Sequence, residues 1–430
     1  MKTFAVCALG CRVNQYDAEA MREQLLARGF EQKDFSEKAD VYLVATCTVT
    51  GMSDTKSRQM IARAHRKNPE ALIVAAGCLA QREGEELLKL DGVGLVIGSS
   101  GRANAGALIE EALAGKKASA VTELDNTFEP LAIGQMRGRT RVALKIQEGC
   151  DRNCAYCIIP SVRGPIRSRP IEDALAEAKR LADHGVPEIV LTGIHLTSYG
   201  RDLGRQEYPG QMLATLLEGI DDLDGVCRIR MGSLEPSVLS EKFMQRAAKL
   251  DKFAHQMHVA LQSGSEGVLR RMGRSYTAAG YARHIDILRQ FWPEAAVSTD
   301  MIAGFPGETR EEFDETIAFV RKIGFSHLHV FPYSQREGTR AAEMPGQLPM
   351  NEKRARAQEL ICVSDEMKRE YVARFDGRVC DVLFEREKDG RMLGRTGEDV
   401  EVSAKGMLSM HELVPCLLRL ENGKMTGEPV

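Results

Sequence analysis

The fold of this chain is decided by the stretch Glu148-Gly149-Cys150-Asp151-Arg152-Asn153-Cys154-Ala155-Tyr156-Cys157. Its cysteines have C-x3-C-x2-C spacing in a loop that follows a strand predicted at Val142–Ile146. Three thiolates on one short loop can hold three corners of a cuboidal 4Fe–4S cluster and leave its fourth iron open. Zinc is the alternative, but a closed zinc site uses four ligands, and this loop has no fourth cysteine or histidine. The spacing therefore favours an iron–sulfur cluster.

Strand-like apolar runs alternate with amphipathic helical stretches on the C-terminal side of this loop. Six such runs are predicted at Val142–Ile146, Glu188–Thr192, Arg228–Gly232, Gln256–Leu261, Val297–Ile302 and His327–Phe331. Six βα units predict an α/β fold with a partial (β/α) barrel, since a closed barrel of this type needs eight. The cysteine loop follows the first strand, so we expect it at the C-terminal face of the barrel, where such folds place their chemistry.

Three further cysteines, Cys11, Cys47 and Cys78, lie far apart in the sequence, but each follows a predicted strand. The N-terminal strands are predicted at Thr3–Ala8, Val41–Ala45, Leu72–Ala76 and Leu95–Ile97. Helical stretches alternate with them, which predicts a parallel sheet. Because the carboxyl ends of parallel strands meet at one edge, we expect the three thiols to converge there. The alternative is three ordinary buried cysteines.

The C-terminal part of the chain changes character after Pro345 and Pro349. A long helix is predicted at Asn351–Phe375, and short β-like runs then predict a small β-barrel. We therefore expect an N-terminal sheet domain at 1–115, a linker at 116–136, a partial barrel at 137–350, a connecting helix at 351–375 and a β-barrel at 376–430.

The composition excludes several classes of protein. The chain has 430 residues, of which 43% are hydrophobic and 28% charged, and its net charge is −3. It is therefore neither disordered nor a protein that binds nucleic acid through bulk positive charge. No apolar run approaches the roughly 20 residues of a membrane helix, so no membrane partner is expected. The odd count of eleven cysteines and a first strand in place of a signal peptide predict a cytoplasmic protein without disulfides.

Basic residues are concentrated in two places. Eight lysines and arginines, against two acidic residues, lie between Arg137 and Arg169 around the cysteine loop. A second basic cluster follows Cys47 and consists of Lys56, Arg58, Arg63, Arg66 and Lys67. We expect these clusters to neutralise phosphates of a nucleic acid. The alternative is a solvated helix or loop face.

The cysteine loop and the strand ends after it resemble the radical S-adenosylmethionine (SAM) superfamily. The matching strand ends are polar or glycine-rich, at Thr192-Gly193, Ser233-Leu234-Glu235-Pro236, Leu261-Gln262-Ser263-Gly264 and Asp300. In that superfamily the open iron chelates SAM, and one electron from the cluster cleaves it to a 5′-deoxyadenosyl radical. The resemblance implies cluster ligands at Cys150, Cys154 and Cys157, and SAM contacts from Tyr156, Thr192, Gly193, Glu235, Gln262 and Asp300.

The whole chain resembles the methylthiotransferase family. The stretches that carry this resemblance are Gly10-Cys11-Arg12-Val13-Asn14-Gln15-Tyr16, Thr46-Cys47-Thr48-Val49-Thr50 and Cys157-Ile158-Ile159-Pro160-Ser161-Val162-Arg163-Gly164. They are closest to the branch that converts N6-threonylcarbamoyladenosine, at position 37 beside the tRNA anticodon, to its 2-methylthio derivative. The resemblance implies a second 4Fe–4S cluster on Cys11, Cys47 and Cys78 that presents sulfur, and a C-terminal TRAM barrel. It also implies three partners: the tRNA anticodon loop, a sulfur source, and a low-potential electron donor such as flavodoxin or ferredoxin.

Two other interpretations remain open at this point. One is a sibling methylthiotransferase that acts on isopentenyladenosine in tRNA or on an aspartate of a ribosomal protein. The other, from a different class, is a non-catalytic metal-containing RNA-binding protein. Four histidines near strand ends are interpreted as hydrogen-bonded scaffold residues rather than ligands: His195, His258, His327 and His329.

Overall fold

The computed structural model describes residues 2–134 and 139–430. Its N-terminal part is a six-stranded parallel sheet with strand order β2-β1-β3-β4-β5-β6. The strands are β1 (Thr3–Ala8), β2 (Glu31–Gln32), β3 (Val41–Thr46), β4 (Leu72–Gly77), β5 (Val93–Ile97) and β6 (Ala118–Ala120). The helices are α1 (Arg12–Ala27), α2 (Gly51–Lys67), α3 (Cys78–Glu83), α4 (Glu85–Leu88) and α5 (Ala105–Leu113).

The sheet is buried on both faces. Every residue of β3 is buried, because one face packs against a cluster around Tyr42 and Ile73 and the other against a cluster around Leu43 and Val74. Continuous apolar strands of this kind are typical of parallel sheets covered by helices on both sides. The strand β6 pairs with β5, so the sheet extends into the segment that the sequence predicts as a linker. The predicted boundary at residues 136–137 lies outside the described residues.

The central part contains the predicted partial barrel. Its strands and ribbon are β7 (Arg141–Lys145), β8 (Gln147–Glu148), β9 (Arg167–Ser168), β10 (Glu188–Thr192), β11 (Arg228–Met231), β12 (Ser233–Leu234), β13 (Gln256–Val259), β14 (Ala296–Ala303) and β15 (His327–Pro332). The helices are α6 (Ile159–Arg163), α7 (Ile171–Asp183), α8 (Gln211–Asp221), α9 (Glu241–Ala247), α10 (Glu266–Met272), α11 (Ala278–Phe291), α12 (Arg310–Ile323), α13 (Arg340–Glu343) and α14 (Met350–Ala373).

The barrel strands form two parallel sheets, ordered β11-β10-β7 and β12-β13-β14-β15. The third barrel strand is interrupted at Gly232, which divides it into β11 and β12. Among the described residues β7 and β15 are not hydrogen-bonded to each other, so the barrel is open on one side. A single core fills the space between the strands and the outer helices and contains residues such as Leu191, Met257 and Tyr281. The predicted partial six-unit barrel is confirmed.

The C-terminal part is a closed five-stranded β-barrel. Its strands are β16 (Val379–Lys388), β17 (Arg391–Arg395), β18 (Glu401–Lys405), β19 (Val414–Glu421) and β20 (Lys424–Pro429), in the order β16-β17-β18-β20-β19. The sequence predicts a barrel here, which is confirmed, but it gives no indication of β20, whose sequence KMTGEP is mostly polar. Only Met425 and Gly427 of this strand are buried.

The C-terminal barrel is attached to the partial barrel through two buried arginines. Arg228 donates to the carbonyl oxygens of Arg395 and Asp381, at 2.8 and 3.0 Å. Arg230 donates to the carbonyl oxygens of Thr396 and Gly397, at 2.6 and 3.1 Å. The loop after β17 is therefore fixed against the interior strands of the partial barrel. Within the described residues, no helix combines the length and apolar character needed to cross a bilayer.

Candidate active site

The loop that carries Cys150, Cys154 and Cys157 is held by its backbone. The short antiparallel ribbon of β8 and β9 closes its base. The N–H of Ala155 donates to the carbonyl of Met272, and the carbonyl of Ala155 accepts from Ala341, both at 2.8 Å. Gly149 has a φ of +72°, and a Cβ there would lie 1.7 Å from the Pro165 carbonyl oxygen. Only glycine fits before Cys150, so the loop has one available path.

The thiols of this loop lie in a poorly solvated pocket. Burial raises the pKa of Cys150 to about 11 and that of Cys157 to about 12, and the neighbouring Cys154 adds to both shifts. Few groups offset this: the N–H of Arg152 donates to Cys150 Sγ at 3.4 Å, and the N–H of Ile159 and the charge of Arg274 act on Cys157. Arg274 Nη1 also donates to Cys154 Sγ at 3.3 Å. Thiolates in such a pocket need additional positive charge, which a bound metal centre supplies.

The second set of thiols lies at one edge of the N-terminal sheet. The ends of the three strands are aligned, since Ala8 pairs with Ala45 and Thr46 pairs with Gly77. Cys11 precedes α1, Cys47 follows β3, and Cys78 begins α3. Desolvation by the surrounding protein raises the pKa of all three, and each thiol also repels at least one of the others. The structure therefore brings the three dispersed cysteines together, as the sequence predicts.

Two glycines make this convergence possible. Gly10 has a φ of +85°, and a Cβ there would lie 2.7 Å from Cys47 Sγ. Gly77 has a φ of +94°, and a Cβ there would lie 2.7 Å from Asn14 Oδ1. Both glycines adjoin a cysteine of the trio, so a side chain at either position would displace the thiols or the residue that lies between them.

The distances between the sulfur atoms bear on the choice between a zinc ion and an iron–sulfur cluster. In the described part of the chain, neither trio has all three sulfur atoms within 4.8 Å of one another. A tetrahedral zinc ion with Zn–S bonds of about 2.3 Å would hold its sulfur ligands about 3.8 Å apart. A cluster of several iron atoms spans a wider gap. Within the described residues, neither trio is therefore arranged to close on a single zinc ion.

One set of potential ligands does lie within this limit: Cys150, Asp151 and His195. Asp151 is exposed and forms an ion pair with Arg201 at 3.0 Å. Nδ1 of His195 contacts the Ser198 hydroxyl, and Nε2 lies 3.3 Å from the Glu235 carboxylate without a hydrogen bond. His195 is thus a hydrogen-bonded scaffold residue, in agreement with the sequence interpretation.

A single arginine connects the two cysteine trios. Arg163 follows Cys157 in α6, is fully buried, and donates from Nε to Cys78 Sγ at 3.0 Å. Its Nη2 donates to Asn14 Oδ1 at 3.2 Å, and Asn14 in turn donates to the carbonyl oxygens of Leu9 and Thr46. The segment that carries the first trio therefore provides a direct contact to the second.

Arg163 belongs to a buried network of charges. Its Nη1 donates to Asp17 and Glu148, at 2.8 and 3.0 Å. Lys145 lies 2.7 Å from Asp17 and 2.6 Å from Glu148, and Arg102 contacts both carboxylates. Burial disfavours the ionised form of Glu148, but Arg163, Lys145 and Arg102 outweigh it and hold its pKa well below the usual range. The network joins the N-terminal sheet to the partial barrel.

This network overturns one expectation. The basic residues around the cysteine loop were expected to face phosphates, yet Lys145, Arg163, Arg167 and Arg169 are buried. Arg169, for instance, lies 2.6 Å from Glu177. For these four residues the prediction is wrong, because a count of charges along the chain does not reveal which side chains pair internally. Arg137, also in that stretch, lies outside the described residues. The second basic cluster, on α2, is exposed.

The predicted SAM residues fall into two groups. The first lies next to the cysteine loop, where Glu235 is buried between Arg152 Nη2 at 2.6 Å and Arg274 Nη2 at 3.2 Å. Burial opposes its ionisation, but His195, Arg274 and Arg152 outweigh this and lower the pKa of Glu235 to about 2. Arg274 also donates to the Tyr156 hydroxyl at 3.4 Å. Arg274 carried no recognisable sequence signal, and it links two predicted SAM residues to Cys154.

Gln262 is held in a strained conformation between these groups. It has a φ of +75°, which is uncommon for a residue with a side chain. Its N–H donates to the Asp300 carbonyl and its own carbonyl accepts from Ile302, both at 2.9 Å. Strain of this kind persists where surrounding structure enforces it, and it is frequent at functional sites.

The second group lines a cavity of about 820 Å³ inside the open barrel. Thr192, Gly193 and Asp300 lie on its wall, and Cys11 reaches it from the N-terminal sheet. Residues 395 and 398–400 of the C-terminal barrel, together with α14, close its side. The cavity therefore joins one thiol of the sheet-edge trio to predicted SAM residues of the partial barrel.

Three histidines line the same cavity. His258 Nε2 lies 3.3 Å from Asp300 Oδ2, and its ring is 5.4 Å from that of His329. Burial and the neighbouring His329 lower the pKa of His327 to about 4, and burial and His258 lower the pKa of His329. His327 and His329 therefore add no positive charge to the cavity at neutral pH.

Comparison with known families agrees with this arrangement. Residues 3–98 match the model of the uncharacterised protein family UPF0004, and residues 144–320 match that of the radical SAM superfamily. The first match covers all three cysteines of the sheet edge, and the second covers the cysteine loop.

Curated relatives resemble the chain along nearly its whole length. The threonylcarbamoyladenosine tRNA methylthiotransferase MtaB of Bacillus subtilis is 39% identical, over 95% of this chain and 92% of the relative. The enzyme of the same name from Aquifex aeolicus is 34% identical, over 95% and 98%. The tRNA-2-methylthio-N(6)-dimethylallyladenosine synthase of Aquifex aeolicus is 36% identical, over 94% and 93%.

Solved structures share the fold at lower identity. The radical SAM methyltransferase TsrM of Kitasatospora setae aligns with a TM-score of 0.57 and 15% identity, over 76% of this chain and 74% of that protein. The cobalamin-dependent SAM radical enzyme OxsB aligns with a TM-score of 0.52 and 12% identity, over 85% and 56%. These similarities support the arrangement of an N-terminal sheet on a radical SAM barrel.

Proposed function

The chain belongs to the radical SAM methylthiotransferase family, and we propose that it converts N6-threonylcarbamoyladenosine in tRNA, at position 37 beside the anticodon, to its 2-methylthio derivative. Relatives named for this substrate match at 39% and 34% identity over 95% of the chain. The observation that carries the proposal is the pairing of two cysteine trios through Arg163, which donates to Cys78 Sγ at 3.0 Å from the segment after Cys157.

Two 4Fe–4S clusters would be held by these trios, one by Cys150, Cys154 and Cys157 and the other by Cys11, Cys47 and Cys78. The adenine C2–H bond is not acidic, so side chains alone cannot activate it, and a cofactor has to provide the reactivity. When bound, the loop cluster with SAM supplies the radical chemistry and the sheet-edge cluster supplies the sulfur. The protein holds the two sets of ligands in a fixed relation through the buried network around Arg163.

The protein's own residues would bind SAM and shield the reaction. Thr192, Gly193 and Asp300 would contact SAM from the cavity wall. Glu235 fixes Arg274 against Tyr156 and Cys154, so this pair would orient SAM from the side of the cysteine loop. Gln262 would complete the site, held in place by its backbone bonds to β14.

The remaining partners follow from this reaction. The anticodon loop is single-stranded, so the target base can enter the cavity without opening a duplex. The exposed basic face of α2 would contact phosphates near the sheet-edge trio, and we assign the C-terminal barrel as a TRAM module for RNA. A low-potential electron donor, such as flavodoxin or ferredoxin, and a sulfur source would complete the reaction. Because the proposed substrate is tRNA, we propose that the protein acts in the cytoplasm.

The proposal is tested by anaerobic incubation of the reconstituted enzyme with SAM, a reductant and tRNA. Parallel reactions contain tRNA with threonylcarbamoyladenosine or with isopentenyladenosine, or the ribosomal protein substrate of the sibling branch, and products are identified by mass. We expect the methylthio product only from the first tRNA. Product only from isopentenyladenosine or the ribosomal protein would assign the chain to a sibling branch. Zinc without sulfide, in place of about eight irons per chain, would indicate a non-catalytic protein.

A further inference from the structure

The cavity that joins Cys11 to Thr192, Gly193 and Asp300 has an excess of basic side chains. The basic residues on its wall are Arg12, Arg141, Arg230, Lys368 and Arg395. The acidic residues are Asp300, Glu398 and Asp399, so the lining carries five positive and three negative charges. An apolar substituent would gain little from such a wall, whereas an anionic one would be attracted to it.

Most of these cations already have partners. Arg141 and Arg230 both pair with the buried carboxylate of Glu188. Arg395 pairs with Asp399 at 3.3 Å. These side chains are constrained by contacts that also attach the C-terminal barrel, so they are poorly placed to reorient toward a ligand.

Arg12 differs from these three arginines because it has no partner among the described residues. In the part of the chain that the structure describes, no carboxylate lies within 4.0 Å of its guanidinium, and it forms no side-chain hydrogen bond. Burial lowers the pKa of Arg12, and the charges of Arg141 and Arg230 add to this effect while Asp399 and Glu188 oppose it. Arg12 is thus an accessible guanidinium with unused donors, immediately after Cys11.

The position of Arg12 next to Cys11 suits it to recognise a substituent of the substrate base, an inference that rests on the function proposed above. In adenine, C2 and the carbon that carries N6 both flank N1. A substituent on N6 and a sulfur donor that reaches C2 must therefore lie near the same edge of the base. The residue that recognises the substituent is expected beside the sheet-edge trio, which is where Arg12 lies.

We propose that Arg12 binds the carboxylate of the threonylcarbamoyl group and so selects this nucleoside over one whose substituent is neutral. A guanidinium offers two parallel N–H donors that match the two oxygens of a carboxylate. An anionic substituent would also relieve the repulsion between Arg12 and its arginine neighbours. A dimethylallyl group offers no acceptor at all, so it would leave those donors unpaired.

The test compares two anticodon stem-loop RNAs that differ only in charge. One carries threonylcarbamoyladenosine, and the other carries its neutral methylamide. Dissociation constants are measured anaerobically at one salt concentration with the reconstituted holoenzyme, its Arg12→Gln and Arg12→Lys variants, and Arg283→Gln as a matched control. Arg283 is exposed on α11 and does not line the cavity.

We expect wild type and Arg283→Gln to prefer the carboxylate RNA by about tenfold or more, as for a charge-assisted hydrogen bond. Arg12→Gln should bind both RNAs equally, and Arg12→Lys should retain part of the preference. Because Arg12 has no partner in the described chain, its loss breaks no internal contact, and iron content confirms that the clusters remain. An unchanged preference in Arg12→Gln overturns the proposal.

Two other outcomes are also decisive. If Arg12→Gln weakens both RNAs to the same extent, Arg12 contacts an RNA phosphate and the carboxylate assignment fails. The function proposed above is judged separately, from the wild-type product. If wild type methylthiolates the carboxylate RNA while Arg12→Gln keeps its preference, only the role of Arg12 is wrong. If wild type forms no methylthio product from this nucleoside, the proposed function itself fails.

Discussion

The two cysteine trios are assembled in opposite ways. The loop trio spans eight residues and is held by backbone hydrogen bonds, a ribbon and a glycine that permits one path. The sheet-edge trio comes from three strand ends that are as far as 67 positions apart and depends on the register of the whole sheet. The ligands of the first trio are thus close in the sequence, although their loop is anchored to Met272 and Ala341, whereas those of the second come together only through the register of the sheet.

The largest effect is expected when one ligand of either trio is replaced, and it differs between the two trios. Cys150→Ala should abolish both SAM cleavage and methylthiolation, because both depend on the loop cluster. Cys47→Ala should abolish methylthiolation but leave SAM cleavage to 5′-deoxyadenosine. Each variant should lower iron from about eight to about four atoms per chain, which iron analysis and chromatography measure. Cys362→Ala, at an exposed cysteine of α14, should change neither. Loss of SAM cleavage in Cys47→Ala would mean that the trios are not independent.

The second prediction concerns the buried connection. Arg163→Met removes the buried hydrogen bonds that Asp17 and Glu148 accept from Nη1 and leaves Lys145 and Arg102 as their remaining cations. It should therefore lower the apparent stability in urea by about 3–5 kcal/mol. Arg321 pairs with Glu366 at the surface, and Arg321→Met should lower it by no more than about 1 kcal/mol.

Arg163→Lys sharpens the same comparison. It keeps the charge but loses the donor to Cys78 Sγ, so we expect a shifted reduction potential for the sheet-edge cluster and an unchanged one for the loop cluster, as measured by electron paramagnetic resonance. Equal shifts in both clusters would contradict a role confined to the second site.

The third prediction tests how each trio tolerates an added methyl group. Gly149→Ala places a Cβ against the backbone oxygen of Pro165, which cannot move away, so the loop cluster should be lost. Gly10→Ala meets the Cys47 side chain, which can rotate, so occupancy of the sheet-edge cluster should fall only in part. Gly185 has a similar φ of +78° with nothing within 4 Å, so Gly185→Ala measures backbone strain alone. Iron content of the three variants gives the comparison.

The smallest effect is in acid. The pKa of Glu235 falls from 4.5 to about 2 in the folded protein, so its ionised form stabilises the fold. This contribution is complete above about pH 4.5 and is lost as the pH falls toward 2. The difference in unfolding free energy between the metal-free wild type and Glu235→Gln should therefore be constant at higher pH and shrink below pH 4.5. If the difference in unfolding free energy stays constant down to pH 2, the neighbouring arginines do not stabilise the ionised form of Glu235.

The sequence predicts the positions of site residues where regular secondary structure fixes them. The convergence of Cys11, Cys47 and Cys78 follows from strand ends in a parallel sheet, and the open barrel follows from six repeated units. The prediction fails where side chains pair over long distances. Arg274 reaches Cys154 across 120 positions, and no local pattern indicates this. Lys145 and Arg169 look like a phosphate-binding patch until the carboxylates from other segments are placed beside them.

The attachment of the C-terminal barrel limits whether this domain can be removed or replaced. Residues 398–400 form part of the cavity wall, so the C-terminal barrel also encloses the cavity. Removing the C-terminal barrel would expose the cavity to bulk water. It would also take away the carbonyl oxygens to which Arg228 and Arg230 donate. Replacing this barrel with another domain would require a new loop that fits Arg228 and Arg230 equally well, so it cannot be exchanged as an independent unit.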